Sequence, residues 1–290
     1  MSGGAGAIAP SSAVGHRLGL LFRRQPMGAV GLVLVLMVVL AAIFAPQLAA
    51  YAPEALSGPA LAAPSGAHWF GTDDLGRDVF SRVIHGGRIS LGVGAVSVLL
   101  GCVAGTGLGL LSGYQRGWLD LAIQRIVDSL MAFPTLVLAL AIVAALGTKQ
   151  RNVTMAITIA MIPQITRIIR GSVLGVCSEV FVEAARGLGV RVPRILLRHI
   201  LPNLVGPIVV VATAFFGTAI VTEAALSFVG LGTPPPTPSW GNMMSGSART
   251  YITSAPWMAF YPGVALSLLV FGVNIVGDAI RDVLDPRLRT

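Results

Sequence analysis

Glu183-Ala-Ala-Arg-Gly-Leu-Gly189, which runs on to Ile200-Leu-Pro202, is a polar and basic stretch between two long apolar segments. It predicts a short helix from Ser178 to Leu188, with Ser178 as N-cap and with Glu183 early in the helix, where the helix dipole favours an acid. The two glycines suit the end of that helix, and Pro193 suits the first turn of a second one. The stretch therefore predicts a helical elbow, residues 178–202, that is presented to another protein.

The composition of the chain is that of a membrane protein. Of its 290 residues, 54% are hydrophobic and only 11% are charged, whereas soluble domains carry about 25% charged residues. Mean hydropathy is +0.81. The net charge of +8 comes almost wholly from arginines at the ends of apolar segments, which the positive-inside rule explains better than nucleic-acid binding does. Cys102 and Cys177 indicate packing residues and no disulfide framework.

Six apolar segments predict the fold class, an all-α polytopic membrane protein with about six transmembrane helices. A helix needs about 20 apolar residues to cross the hydrocarbon layer, and only helices or closed barrels satisfy their backbone there. The first segment is too long for a signal peptide and is interpreted as a retained span. Pro163 interrupts the fourth, and we expect the fifth to tilt or to bend near Gly217. The segments are 27–50, 89–113, 126–147, 152–170, 203–231 and 257–280.

The distribution of basic residues predicts the orientation of the chain. With the N-terminus inside, 14 of the 20 lysines and arginines fall on cytoplasmic segments and 6 on outer ones, as the positive-inside rule requires. We therefore expect cytoplasmic tails at 1–26 and 281–290, a first span at 27–50, and an extracytoplasmic loop at 51–88. A second outer loop covers 232–256, and the elbow faces the cytoplasm.

The first outer loop contains a cluster of charged residues that has two interpretations. Asp73, Asp74 and Asp78 suggest a metal or acid/base group, but they lack the loop pattern of a calcium-binding EF-hand. Asp78, Arg82 and His85 lie at helical spacing. This spacing favours an amphipathic helix at the membrane interface.

Two polar residues within apolar segments are candidates for the translocation path or for helix packing, Glu223 and Asn274. An ionisable side chain at membrane depth is costly and usually faces protein or water. Because Glu223 lies near the outer interface, we favour helix packing for it over a place on the path. For Asn274 both interpretations stay open.

The sequence has none of the patterns expected of an enzyme. There is no glycine-rich phosphate-binding loop that ends in lysine and serine or threonine, and no His-Glu-x-x-His pair. The four histidines lack the spacing of metal ligands. We therefore predict no catalytic, cofactor-binding or metal-binding residue in this chain.

Four motifs in order resemble one transporter family. Glu183, Ala184 and Ala185, with Gly189, Leu201 and Pro202 at their spacing, resemble the EAA loop of bacterial ABC importer permeases. The general pattern has an aliphatic residue in place of His199, and His-Ile-Leu-Pro-Asn at 199–203 is similar to the peptide-type permeases. Three further stretches, 69–91, 223–241 and 274–287, resemble the C-type permeases of the dipeptide, oligopeptide and nickel importers.

The resemblance implies a transmembrane subunit of an ATP-driven importer in the cytoplasmic membrane, with a core permease domain at 89–280. It implies di- or oligopeptides as cargo, with nickel complexes or glutathione as alternatives. The expected partners are a second homologous permease, two ATP-binding subunits that hold ATP and Mg²⁺, and an extracytoplasmic substrate-binding protein. The elbow at 178–202 would be the ATPase-coupling loop, and nucleic acid is not an expected partner.

Two other classes of membrane protein fit less well. An ion-coupled secondary transporter should carry several buried ionisable groups and discontinuous helices, whereas only Glu223 is clearly placed within an apolar segment. A channel subunit should carry a selectivity filter or a ring of charges, and neither is visible in the sequence.

Overall fold

The computed structural model describes residues 26–284, which fold into eleven helices. Within this range the only β-pairing is in two isolated bridges, Leu56 with Arg77 and Thr72 with Asp78. The predicted tails at 1–26 and 281–290 lie outside the described residues, apart from Pro26 and residues 281–284. The helices are α1 Pro26–Ile43, α2 Ala45–Leu48, α3 Val79–Gln115, α4 Gly117–Met131, α5 Thr135–Leu146, α6 Gln150–Cys177, α7 Val180–Gly187, α8 Val192–Phe228, α9 Trp240–Met243, α10 Ser247–Thr250 and α11 Trp257–Leu284.

Five of these helices are long and apolar enough to cross a membrane, namely α1, α3, α6, α8 and α11. The pair α4 and α5 would make a sixth span, bent by 88°. The predicted all-α polytopic fold is therefore confirmed. Pro163 lies inside α6 without interrupting it, and α8 continues through Gly217.

The third predicted span, 126–147, contains a break between two helices. α4 ends at Met131 and α5 begins at Thr135, so Ala132, Phe133 and Pro134 form a break inside the apolar segment. Proline has no N–H to donate, and it disfavours helical geometry in the residue before it. Pro134 therefore accounts for the position of the break.

The core of the molecule is the close packing of α3 against α6. A Cβ on Gly105 would stand 2.6 Å from Cγ2 of Ile165, and one on Gly113 would stand 2.8 Å from Cγ1 of Val173. Small residues allow helices in membranes to approach closely and to gain van der Waals contact. The buried cluster around this pair also takes in residues of α5, α7 and α8.

The first turns of α3 extend beyond the predicted second span, 89–113. With 37 residues, α3 is roughly 55 Å long, and it exceeds a hydrocarbon layer of about 30 Å. Arg82 and Ile84 are buried. The helix predicted through Asp78, Arg82 and His85 is the start of α3, with Asp78 as its N-cap, and it runs without a break into the second span. The predicted loop at 51–88 accordingly ends in helix from Val79 onward.

Candidate functional site

The elbow begins one residue later than the sequence predicts. α6 continues to Cys177, and Ser178 caps its C-terminus with its hydroxyl donating to the carbonyl of Gly175 at 2.7 Å. Glu179 is the N-cap of α7 and makes no side-chain capping bond. Ser178 as N-cap was therefore wrong, because the preceding helix extends over it. Glu183 lies in the first turn of α7 as predicted.

The turn of the elbow is a Schellman motif centred on Gly189. Its φ is +72°, a conformation that costs a residue with a Cβ roughly 1–2 kcal/mol. The amide of Gly189 donates to the carbonyl of Arg186 at 3.0 Å, and the amide of Val190 donates to that of Ala185 at 3.1 Å. This pair of bonds satisfies carbonyls at the end of α7 and fixes where the chain turns back.

The second arm of the elbow starts helical and then widens. Pro193 stands in its first turn, as predicted. Residues Ile195–Ile200 form a π-helical segment, and Leu201–Leu204 form a 3₁₀ turn that contains Pro202. Pro202 cannot donate a backbone hydrogen bond, and the side chain of Asn203 donates instead to the carbonyl of His199 at 2.7 Å. The sequence reasoning missed this segment, for which Pro202 was the available signal.

The elbow buries one face and exposes another. Val182 and Ala185 are buried against the second arm, where Ile195 and Ile200 belong to the same cluster. The opposite face is exposed and carries residues spaced four apart along α7 and its C-cap, Leu188. Of these, Val180 is 79% exposed and Leu188 is 83% exposed, and between them stands the exposed Ala184. The exposed residues of the predicted set are Glu183, Ala184, Gly189 and Pro202, whereas Leu201 is half-buried.

The elbow is joined to the spans by contacts that sequence reasoning did not find. The guanidinium of Arg186 lies 4.6 Å from the ring centroid of Tyr114, at the end of α3. Nearby, Arg170 of α6 donates to both carboxylate oxygens of Asp120 at 2.7 and 2.6 Å. Ser112 of α3 also donates to Asp120. The ends of α3, α4 and α6 therefore meet beside α7.

Glu223 lies in a second polar cluster, near the end of α8 that is far from the elbow. It is fully buried in α8. One carboxylate oxygen accepts from the hydroxyl of Ser90 on α3 at 2.8 Å, and the other accepts from that of Ser227 at 2.7 Å. The loop after α8 packs against the same place, because a Cβ on Gly241 would stand 2.6 Å from Cβ of Ser227. This arrangement supports helix packing as the role of Glu223.

Asn274 is placed differently from Glu223. It is exposed on α11, and its Oδ1 would stand 3.2 Å from a Cβ on Gly217 of α8. The structure therefore does not bring the two predicted polar residues together.

The charged residues of the first outer loop serve the local fold. Asp73 accepts from the backbone amides of Leu75 and Arg77 and from Nε of Arg77 at 2.6 Å. Asp78 caps α3 through the amide of Ser81 at 2.8 Å, and its other oxygen lies 2.9 Å from Nδ1 of His68. Within residues 26–284, no three histidine, cysteine, aspartate or glutamate side chains are placed to hold a metal ion.

Two family models match the chain. Residues 105–290 match the family described as binding-protein-dependent transport system inner membrane component. Residues 20–64 match the N-terminal transmembrane domain of oligopeptide transport permease C.

Curated relatives match along nearly the whole length. The chain is 45% identical over 270 residues to the dipeptide transport system permease protein DppC of Alkalihalophilus pseudofirmus, with 92% of this chain and 88% of the relative covered. It is 44% identical over 281 residues to the glutathione transport system permease protein GsiD of Escherichia coli, with 94% of this chain and 91% of the relative covered.

A solved structure of the MetNI methionine ABC transporter in an inward-facing conformation contains a chain of similar fold. The TM-score is 0.58 at 20% identity, and the match covers 70% of this chain and 96% of that chain. At this identity the likeness concerns the fold alone.

Proposed function

Because the chain belongs to the family of binding-protein-dependent transport system inner membrane components, we propose that it carries short peptides through the cytoplasmic membrane as one permease subunit of an ABC importer. The cargo follows from the chemistry that its relatives share, since a dipeptide and glutathione are both short peptides with charged ends. Nickel complexes are the weaker alternative, because the names of both relatives refer to peptides.

The remaining components of the importer lie outside this chain. A second homologous permease completes the passage, two ATP-binding subunits hold and hydrolyse ATP with Mg²⁺, and an extracytoplasmic substrate-binding protein delivers the cargo. This chain supplies no catalytic residue, and its relatives are permease subunits as well. The free energy of hydrolysis therefore reaches it through a contact between proteins.

The observation that carries this proposal is the exposed face of the elbow. Val180, Ala184 and Leu188 form an apolar stripe on a short helix, with the carboxylate of Glu183 beside it. An amphipathic helix of this kind fits a hydrophobic groove on a partner, with its i, i+4 and i+8 residues as anchors. We assign that groove to an ATP-binding subunit, and Glu183, Ala184, Gly189 and Pro202 to the surface that meets it.

Ala185 and Leu201 act from behind that surface. Ala185 is buried and Leu201 is half-buried, so both hold the two arms of the elbow together. When the ATP-binding subunits close, the elbow then moves as one body. The contact between the guanidinium of Arg186 and the ring of Tyr114 transmits this movement to the end of α3.

Uptake by the reconstituted importer tests both parts of the proposal. The assembled complex in liposomes should take up labelled dipeptide in the presence of ATP and the binding protein, and Glu183→Arg should abolish uptake at unchanged membrane abundance. Substitution of the buried elbow residue Val182 by alanine gives a control in which only packing is weakened. Efficient uptake of nickel without peptide uptake would overturn the assignment of the cargo, and normal uptake by Glu183→Arg would overturn the assignment of the elbow.

A further inference from the structure

The break between α4 and α5 lies beside the middle of α6. At the break, Nε2 of Gln164 on α6 donates to the hydroxyl of Thr135 at 3.0 Å. Gln164 follows Gln150, the first residue of α6, by 14 positions, which is roughly 21 Å along a helix. With the predicted orientation, and with a hydrocarbon layer of about 30 Å taken to begin at Gln150, the break falls in the inner half of the layer.

The break is exposed on this chain. Ala132, Phe133 and Pro134 are all exposed, and α5 begins after Pro134 with no side-chain cap. Irregular backbone at membrane depth is tolerated only where protein buries it or where it lines a water-filled cavity. This side of the chain therefore does not face lipid.

A polar patch adjoins the break, and we define it as Arg125, Asp128 and Ser129 of α4 together with Arg167 of α6. The three α4 residues lie at i, i+3 and i+4 on one exposed face. Asp128 and Arg167 form an ion pair in which the side chains remain 51% and 48% exposed. Charged side chains within membrane segments mark substrate or ion pathways when they face a water-filled cavity.

A water-filled cavity fits this patch better than a packed contact with another subunit. Arg125 is exposed and forms no ion pair with any residue of the described range. A packed contact would have to supply an acidic group from another subunit, because burying an unpaired charge in a protein interface is strongly unfavourable. In water the same guanidinium stays solvated.

We propose that the polar patch lines the inner half of the translocation path, where Asp128 and Arg167 offer transient contacts to the charged ends of a passing peptide. A free ammonium group complements Asp128, and a free carboxylate complements the two arginines, which bind carboxylates through paired N–H groups. The inference rests on the proposed peptide-import function and extends it to named residues.

Cysteine accessibility in the assembled importer tests this inference. Ser129→Cys is made in a complex whose other reactive cysteines have been replaced, and it is treated in liposomes with the anionic reagent 2-sulfonatoethyl methanethiosulfonate. We expect at least a fivefold difference in labelling rate between the nucleotide-free and the vanadate-trapped states. We also expect labelling to abolish peptide uptake. Val33→Cys on the exposed face of α1 is the lipid-facing control and should stay unlabelled.

Three results would overturn the inference. One is a Ser129→Cys that stays unreactive in every nucleotide state, as a lipid-facing or tightly packed residue would. Another is labelling at the same rate in both states without loss of uptake, as expected of a residue at the cytoplasmic membrane surface. The third is unchanged uptake after complete labelling. If the unlabelled importer itself takes up no peptide, it is the proposed function that fails, and the nucleotide-dependent labelling still reports on the path.

Discussion

At the scale of single residues, the carboxylate of Glu223 holds separate parts of the chain together. Its two oxygens accept hydroxyl groups from α3 and from its own helix, and the loop that carries Gly241 lies against the same turn. The sequence indicated a buried carboxylate that packs. It did not indicate Ser90 as a partner, because 133 positions separate the two residues.

Replacement of Glu223 tests the packing role. Glu223→Ala should leave the hydroxyls of Ser90 and Ser227 without their acceptor, at a cost of about 1–3 kcal/mol for each buried group left unsatisfied. The Tm of the detergent-solubilised importer should fall. Glu223→Gln keeps an acceptor of the same size and should lower the Tm less. A variant Glu223→Gln with an unchanged Tm and no peptide uptake would contradict the packing role and place Glu223 on the path.

Gly189 is the second residue whose conformation matters by itself. At a φ of +72° a β-branched side chain is strained by roughly 1–2 kcal/mol, so Gly189→Val should distort the turn of the elbow. We expect normal membrane abundance but at least a tenfold loss of ATP-driven peptide uptake. Gly187→Val is the matched control, because Gly187 ends α7 with no heavy atom within 4 Å of an added Cβ and has no positive φ. Equal uptake by the two variants would speak against a rigid elbow.

At the scale of elements, the packing of α3 on α6 depends on glycine. Gly105→Leu should push the helices apart, since even a Cβ there would meet Ile165 at 2.6 Å, and overpacking costs typically 1–3 kcal/mol. Gly107→Leu lies on the same helix in open space and serves as control. We expect a lower Tm and a lower yield of assembled importer for Gly105→Leu alone. Indistinguishable melting curves would show that the helices can yield at this contact.

The elements also show where sequence reasoning reaches its limit. Hydropathy located the spans because crossing a lipid layer requires a run of apolar residues of set length. The hydropathy pattern predicted a single span at 126–147, because this segment is apolar on both sides of the break. An average of hydropathy over many residues does not reveal a helix break at Pro134. The ion pair between Asp120 and Arg170 was likewise hidden, since it joins residues 50 positions apart.

At the scale of the whole molecule, the orientation in the membrane is a prediction from the distribution of arginines. In cells that carry a chain without Cys102 and Cys177, an impermeant maleimide should label Ser65→Cys, in the first outer loop. It should not label Ser178→Cys until the membrane is opened. Both positions are exposed in the structure, so burial within the chain does not decide the result. The reverse pattern would invert the topology and rule out the elbow as a cytoplasmic contact.

The family and the arrangement of the elbow were predictable from the sequence, whereas the packing of the two outer loops was not. The four motifs gave the family, and the positions of Glu183, Gly189 and Pro193 in the elbow agree with expectation. In the first outer loop, Asp78, Arg82 and His85 were expected to form an amphipathic helix at the membrane interface. The outer loops instead fold around the projecting end of α3, where the indole of Trp240 donates to the carbonyl of Val83 at 2.9 Å. Contacts of this kind join residues 157 positions apart and leave no periodic trace in the sequence.

The π-helical segment Ile195–Ile200 determines how α7 is rotated about the axis of the span that follows it. Each residue of an α-helix turns the chain by about 100°, and a π-helical bulge accommodates additional chain within a helix. Deleting one residue from this segment would shorten the chain between α7 and Pro202, and we expect it to turn α7 about the axis of α8. The apolar stripe of α7 would then point in another direction with every one of its side chains intact. The direction in which the apolar stripe points therefore depends on the number of residues in this segment. Insertions or deletions there would displace the proposed contact with the ATP-binding subunit more than a single substitution would.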